Sequence, residues 1–153
     1  MATSSVWYTD IHPSKHFRLG TIKKDNAGNE YVYAKGVASL AANDAVFIDE
    51  LGVSTRAVTG ANLVGPIGCS MTANTSATQY SWFQIGGTGT VNALAACADN
   101  AALFLTSTAG SLDDSGAGAE TFVYNIWTRS ALTSSNNVTV QMNRPFVTNQ
   151  ALD

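Results

Sequence analysis

Charged residues are scarce in this sequence. They make up 12% of the chain, about half the share that an ordinary soluble domain carries. So few charges leave a surface poorly solvated unless neighbouring subunits cover part of it. The net charge of −3 also argues against a nucleic-acid binder, because phosphate contacts need clustered lysine and arginine. We therefore expect protein contacts rather than nucleic acid.

Long apolar runs are also absent. No stretch approaches the roughly 20 apolar residues that a membrane-spanning helix needs. The opening MATSS lacks the basic and apolar regions of a secretion signal. We expect synthesis in a cytoplasm and no membrane partner.

Cysteine and histidine number only two each, which restricts redox, metal and hydrolytic chemistry. Cys69 and Cys97 have no zinc-ligand spacing, and isolated cysteines in a reducing cytoplasm are most often buried thiols. His12 and His16 have a four-residue spacing, but Pro13 disfavours the helix that a metal site there would require. No G-x-S-x-G turn accompanies them. We expect no enzyme, no metal and no cofactor.

Two glycine-rich segments are candidate ligand loops. Asp113, Asp114 and Glu120 lie in a turn that could hold calcium weakly, but they do not match an EF-hand loop, and a solvated turn is favoured. The run 86–90 superficially suggests a phosphate loop, yet the lysine and the helix start that phosphate binding uses are missing. We interpret it as the tight link between a strand at 80–85 and the next strand near Val91.

Small residues dominate the chain, since Ala, Gly, Ser, Thr and Asn make up 78 of the 153 residues. This mixture is poor for long helices and favours short strands joined by turns. The length fits one domain. We predict an all-β fold, a compact antiparallel β-barrel or β-sandwich at 19–148, with an extended N-terminal arm at 1–18 and a tail at 149–153.

Strands are predicted where apolar residues alternate between turn signals. The clearest hairpin joins 17–24 to 30–35 through an Asn- and Gly-rich turn. Further strands are predicted at 45–48, 53–58, 65–72, 80–85, 102–105, 120–129 and 137–147. Pro145 is expected to leave the residues from 145 onward as an edge or a tail.

Two tryptophans lie in predicted strands. Alternation places Trp82 and Phe83 on opposite faces, and it places Trp127 with Val123 and opposite to Tyr124. Core packing is the favoured interpretation of both tryptophans. The sequence leaves open whether they pack in the protein's own core or at a subunit contact.

Several segments, in this order, resemble small structural proteins of tailed bacteriophages. They are Leu19-Gly-Thr-Ile22, Glu30-Tyr-Val-Tyr-Ala-Lys-Gly36, Leu40-Ala-Ala-Asn-Asp-Ala-Val46, Gly65-Pro-Ile-Gly68, Tyr80-Ser-Trp-Phe-Gln-Ile-Gly-Gly87 and Ala101-Ala-Leu-Phe-Leu-Thr-Ser-Thr-Ala-Gly110. The resemblance covers 19–110. It implies a head decoration, or cement, protein: an all-β domain, often trimeric, outside the capsid, that holds neighbouring major capsid proteins together. It supplies no catalytic residues.

The resemblance predicts a virion protein on the capsid exterior, with the major capsid protein as partner. It also predicts a homo-oligomer, with a trimer favoured.

The N-terminal part of the chain is more basic than the rest. Residues 1–35 carry five basic and three acidic groups, whereas the remainder carries three basic and eight acidic ones. The arm is expected to pack on its own body or on a partner. The candidate partner-binding residues are Val6, Trp7, Tyr8, Ile11, Lys15, Phe17, Arg18, Lys23 and Lys24.

The alternative function is a receptor- or glycan-binding module of a phage tail or surface appendage. Such a module would expose an aromatic side chain such as Trp82 or Trp127 to stack on sugars. Copy number separates the two functions, because a capsid decoration protein is present in hundreds of copies per particle and a tail component in a handful.

Overall fold

The regular structure consists of strands and one short helical turn. The computed structural model describes residues 7–60, 64–94, 96–115, 121–134 and 136–148. The strands are β1 (Ile22–Lys24), β2 (Glu30–Lys35), β3 (Ala45–Ile48), β4 (Ser54–Arg56), β5 (Gly65–Ser70), β6 (Tyr80–Ala93), β7 (Ala102–Leu105), β8 (Leu112–Asp113), β9 (Phe122–Thr128) and β10 (Asn136–Val147). A 3-10 turn covers Trp7–Thr9. The prediction of an all-β fold is confirmed.

The strands form one sheet that closes on itself. Its order is β1-β2-β6-β8-β7-β9-β10-β5-β3-β4, and β6 also pairs with β10 and β5. The β6–β10 pairing completes a hydrogen-bonded ring through β8, β7 and β9. Every strand pairing is antiparallel except that of β6 with β8. The result is a compact β-barrel that shares β6 with a second group of strands, β1 to β5.

Three apolar clusters fill this architecture. The largest includes Leu103 and Val140 and is built mostly by the strands of the ring. The second, which includes Val46 and Phe83, lies among β2, β3 and β6. Trp82 belongs to a third cluster on the opposite face of β2 and β6. Because both faces of β6 are covered, this strand is buried along most of its first half.

The predicted first hairpin is confirmed, although its first strand begins at Ile22 rather than at residue 17. Its turn is held by one side chain. The carboxylate of Asp25 accepts hydrogen bonds from the backbone N–H groups of Ala27 and Asn29, both at 2.9 Å. Gly28 supplies the left-handed residue of the turn, with φ +85°. The register that follows pairs Ile22 with Val32.

The interpretation of 86–90 as a link between strands is wrong, because β6 continues through these glycines to Ala93. The register between β2 and β6 shifts where Glu30 faces Gly86. Beyond this bulge β6 leaves β2 and pairs with β10. Gly87 adopts a left-handed φ of +89° at this point. The glycines therefore let one strand change neighbours.

The expectation that 145 onward forms only an edge or a tail is also wrong. β10 runs to Val147, which pairs with Gly65 of β5. Pro145 lies within the register shift between Met142 and Phe146, and the preceding Arg144 has φ +50°. A proline is tolerated at such a bulge because no ladder hydrogen bond requires its missing N–H.

The strict alternation predicted for β9 fails at one residue. Asn125 has a left-handed φ of +62°, and the β7–β9 register shifts here. Ile126 is consequently buried together with Val123, whereas Trp127 is 37% exposed. Trp127 is therefore a surface residue, and the favoured core interpretation is wrong for it. The core interpretation is confirmed for Trp82, which is 1% exposed.

Candidate functional site

The described part of the arm packs on the protein's own body. The ring centroid of Trp7 lies 4.9 Å from that of Trp82 and 5.3 Å from that of Tyr31. Phe17 lies 5.3 Å from Trp82. We call this group the aromatic cluster; its rings belong to Trp7, Tyr8, Phe17, Tyr31, Tyr33, Tyr80 and Trp82. The large aromatic side chain of Trp82 in the first half of β6 thus packs against the arm.

Lys23 completes this cluster with a positive charge. Its Nζ lies 4.5 Å from the ring centroid of Phe17, 5.2 Å from that of Trp7 and 5.4 Å from that of Trp82. An ammonium group in this position is attracted by the electron-rich ring faces. Lys23 therefore connects the first hairpin to the arm through cation–π contacts.

A pair of histidines fixes the second half of the arm. The Nδ1 of His12 lies 2.9 Å from the hydroxyl of Tyr33, which also accepts a hydrogen bond from the backbone N–H of His16 at 3.3 Å. The two imidazole rings are stacked with centroids 3.9 Å apart. Burial, and next the neighbouring His16, lower the pKa of His12, while Asp10 opposes the shift.

The candidate partner-binding residues divide into two groups. Four are at least partly buried in contacts within the chain: Trp7, Tyr8, Phe17 and Lys23. Four are exposed: Ile11, Lys15, Arg18 and Lys24. Val6 lies outside the described residues. Lys24 forms an ion pair with Glu30 at 3.1 Å. The exposed residues of this set thus give the arm and the first hairpin a basic outer surface with one aliphatic residue, Ile11.

An apolar groove lies beside β1. It has a volume of about 460 Å³, and the side chains that define it belong to Leu19, Ile22, Leu51, Pro66, Pro145 and Phe146. Leu51 is 71% exposed and Ile22 is 44% exposed, and Val64, next to the lining residue Gly65, is 50% exposed. We call this surface the apolar groove. Sequence reasoning missed it, although a leucine at the tip of a tight turn was a usable signal.

Charged side chains border the apolar groove. Arg144 donates to Glu30 at 3.0 Å, and hydrogen bonds from Lys24 and then from Arg144 lower the pKa of Glu30. Asp49 accepts from the backbone N–H groups of Leu51 and Val53, at 2.9 and 2.8 Å, which shapes the turn that carries Leu51. These hydrogen bonds hold the segments that line the apolar groove, so the fold itself sets the shape of the groove.

The two cysteines and the acidic turn are accounted for by contacts within the chain. Cys69 and Cys97 are buried and form no disulfide, as expected. Burial raises the pKa of both thiols. Ligand atoms of Cys97, Asp113 and Asp114 lie within 4.8 Å of one another, but Asp114 accepts from the N–H of Ala98 at 2.6 Å. We assign this carboxylate to loop anchoring; Glu120 lies outside the described residues.

Comparisons with known proteins add no assignment. No protein family, curated protein or solved structure matches this chain. Within the described ranges, no helix is long and apolar enough to cross a membrane. The function must therefore be inferred from the residues and their geometry.

Proposed function

We propose that this protein is a structural virion protein that decorates the outside of a tailed-phage capsid and bridges neighbouring major capsid proteins. The observation that carries the proposal is the apolar groove with its exposed aliphatic side chains. The resemblance of segments across 19–110 supplies the class of partner. A homo-oligomer, with a trimer favoured, is part of the same proposal.

The apolar groove is suited to a lasting protein contact. Fully burying an exposed leucine contributes about 1.5–3 kcal/mol, and Leu51, at 71% exposed, and Ile22, at 44% exposed, both have apolar surface left to cover. A few well-packed side chains at the centre of a contact supply most of its binding energy. We assign the groove to an apolar segment of the major capsid protein.

The exposed side of the arm provides a second contact. Ile11 is 38% exposed, and Lys15 and Arg18 are exposed basic residues near it in sequence. These charges suit an acidic capsid surface and speed the encounter with it. Two contact surfaces on one molecule can engage two capsid subunits. The shell then resists internal pressure because the added interfaces must break before the subunits separate.

Copy number tests the proposal directly. Quantitative mass spectrometry of purified particles from cells that carry this gene should find hundreds of copies, in a simple ratio to the major capsid protein. A handful of copies per particle would contradict decoration and would support a tail or appendage component. Sedimentation of the purified protein tests the trimer separately.

Rebinding to stripped particles tests the surfaces. Removal of 1–18 is a poor test because it also uncovers Trp82. We expect Leu51→Asp to weaken binding to particles at least tenfold, because a charge is buried in the contact, and Ile11→Asp to weaken it less. Leu94→Asp is the matched control, since Leu94 is 38% exposed and lies outside the apolar groove. Equal binding by Leu51→Asp and the control would exclude the groove.

A further inference from the structure

Trp127 is presented outward by a defined backbone feature. The left-handed Asn125 reverses the phase of β9, so that Trp127 is 37% exposed although its neighbours Ile126 and Thr128 are buried. In register, Trp127 lies opposite Gln141 of β10, and Gln141 lies opposite Thr88 of β6. The indole therefore lies at one end of a row of polar side chains.

A polar groove opens beside this indole. It has a volume of about 520 Å³, and its polar side chains belong to Glu30, Arg129, Gln141 and Asn143. Gly28, Gly86 and Gly87 form part of its lining without contributing side chains. We call it the tryptophan groove. It combines one aromatic surface with planar hydrogen-bonding groups, two amides, a guanidinium and a carboxylate.

This combination matches the surface of a sugar. A pyranose ring has an apolar C–H face that packs on an aromatic ring, and hydroxyl groups around its edge that need donors and acceptors. A purely apolar ligand would cover Arg129, Gln141 and Asn143 without offering them hydrogen-bond partners, which is costly. We propose that the tryptophan groove binds a pyranose glycan, stacked on Trp127 and hydrogen-bonded by Arg129, Gln141 and Asn143.

The groups in the tryptophan groove are available for such contacts. Arg129 is exposed and forms no ion pair within the part of the chain that the structure describes. Gln141 accepts from the hydroxyl of Thr88 at 3.2 Å through its Oε1, which leaves the N–H groups of its amide for a ligand. Glu30 is held by Lys24 and Arg144, so its carboxylate stays fixed at the rim.

This inference does not depend on the capsid proposal, because a glycan site is compatible with a capsid protein or a tail component. The two are separated by experiment, since glycan binding is measured on the isolated protein and decoration on the particle. A particle that carries this protein in many copies would bind glycan surfaces with high avidity even if each site were weak.

The test is binding of the full chain to immobilised oligosaccharides of hexoses, N-acetylhexosamines and uronic acids, followed by calorimetry on the best binder. We expect binding to at least one class, a loss of at least tenfold in Trp127→Ala, and partial retention in Trp127→Phe. Leu94→Ala is the control, because Leu94 is exposed and lies outside the tryptophan groove. It should bind like the wild type.

Two outcomes would overturn the inference: no binding to any of these sugars, or binding that Trp127→Ala leaves unchanged. Circular dichroism of the variants ensures that a loss reflects the site rather than the fold. Arg129→Gln provides a second readout. It should weaken uronic acid binding more than neutral sugar binding, because the guanidinium pairs with a carboxylate.

Discussion

At the scale of single residues, the arm is held by two polar groups set among aromatic rings. The ammonium group of Lys23 makes cation–π contacts with three rings. The hydroxyl of Tyr33 forms hydrogen bonds with the Nδ1 of His12 and the backbone N–H of His16. The aromatic arm residues among the candidates for a partner contact, Trp7, Tyr8 and Phe17, are thus engaged within the chain. A basic residue in an aromatic segment can serve the protein's own packing as well as a partner.

The contact between His12 and Tyr33 predicts a pH dependence. The hydroxyl of Tyr33 accepts from the backbone N–H of His16, so its own proton is free to be donated to an unprotonated Nδ1 of His12. Folding lowers the pKa of His12 below its ordinary value of 6.5. Its contribution to stability is therefore complete above about pH 6.5 and is lost as the pH falls through the folded pKa.

Urea unfolding measured at a series of pH values tests this prediction. The free energy of unfolding of the wild type should fall as the pH drops below about 6.5. His12→Asn keeps an acceptor for the Tyr33 hydroxyl but cannot titrate, so its profile should be flatter in this window. The pKa of Glu30 is lowered as well, so the stability that Glu30 contributes is lost only at pH values below its ordinary pKa of 4.5. A wild-type profile as flat as that of His12→Asn would contradict the assignment.

At the scale of the element, β6 serves two groups of strands, and its glycines make this possible. Gly87 has φ +89°, and a methyl group there would collide with the side chain of Asn29. That side chain accepts from the N–H of Thr88 at 3.1 Å and donates to Asp25 at 2.9 Å. The bulge in β6 and the turn of the first hairpin are therefore one connected feature.

A pair of substitutions isolates this connection. Gly28→Ala should lower the free energy of unfolding by about 1 kcal/mol, because a left-handed φ of +85° is costly for alanine. No clash adds to this cost, since no atom lies within 4 Å of the added methyl group. Gly87→Ala should cost about 2–3 kcal/mol, because the collision also disturbs the hydrogen bonds of Asn29. Chemical denaturation measures both. Equal losses would show that Asn29 moves aside freely.

Local signals explain which elements the sequence predicts well. The first hairpin is specified by its own Asn and Gly residues, and the strands at 45–48 and 102–105 have the observed bounds. Their boundaries are set by turn residues next to them in the chain. The all-β class follows from composition for the same reason, because it depends on no particular long-range pairing.

The elements that were missed depend on distant partners. The extension of β6 beyond the glycines depends on β10, which lies some 50 residues away in the chain. β8 contains only Leu112 and Asp113 and is formed by pairing with β6 and β7. The outward turn of Trp127, and with it the tryptophan groove, depends on one left-handed asparagine, which alternation alone cannot predict.

At the scale of the whole molecule, the arm, the barrel and the second group of strands, β1 to β5, meet at β6. Trp82 of β6 is covered by Trp7 and Phe17 of the arm, while the next residue, Phe83, belongs to the core on the other face. Since the two faces of one strand are stabilised by different parts of the chain, loss of one part weakens the other. We therefore expect the arm and the body to unfold together.

Removal of residues 1–18 tests this coupling. The truncated chain should lose more than about 3 kcal/mol of unfolding free energy, because Trp7, Tyr8 and Phe17 no longer bury apolar surface. Trp82 should become exposed, which shifts the fluorescence emission to longer wavelength, and fluorescence and circular dichroism should still report one transition. Ile11→Ala, which removes no ring, should leave the midpoint unchanged. If the truncated body keeps the wild-type midpoint, the arm is not coupled to the folding of the body, and its aromatic residues again become candidates for the proposed capsid contact.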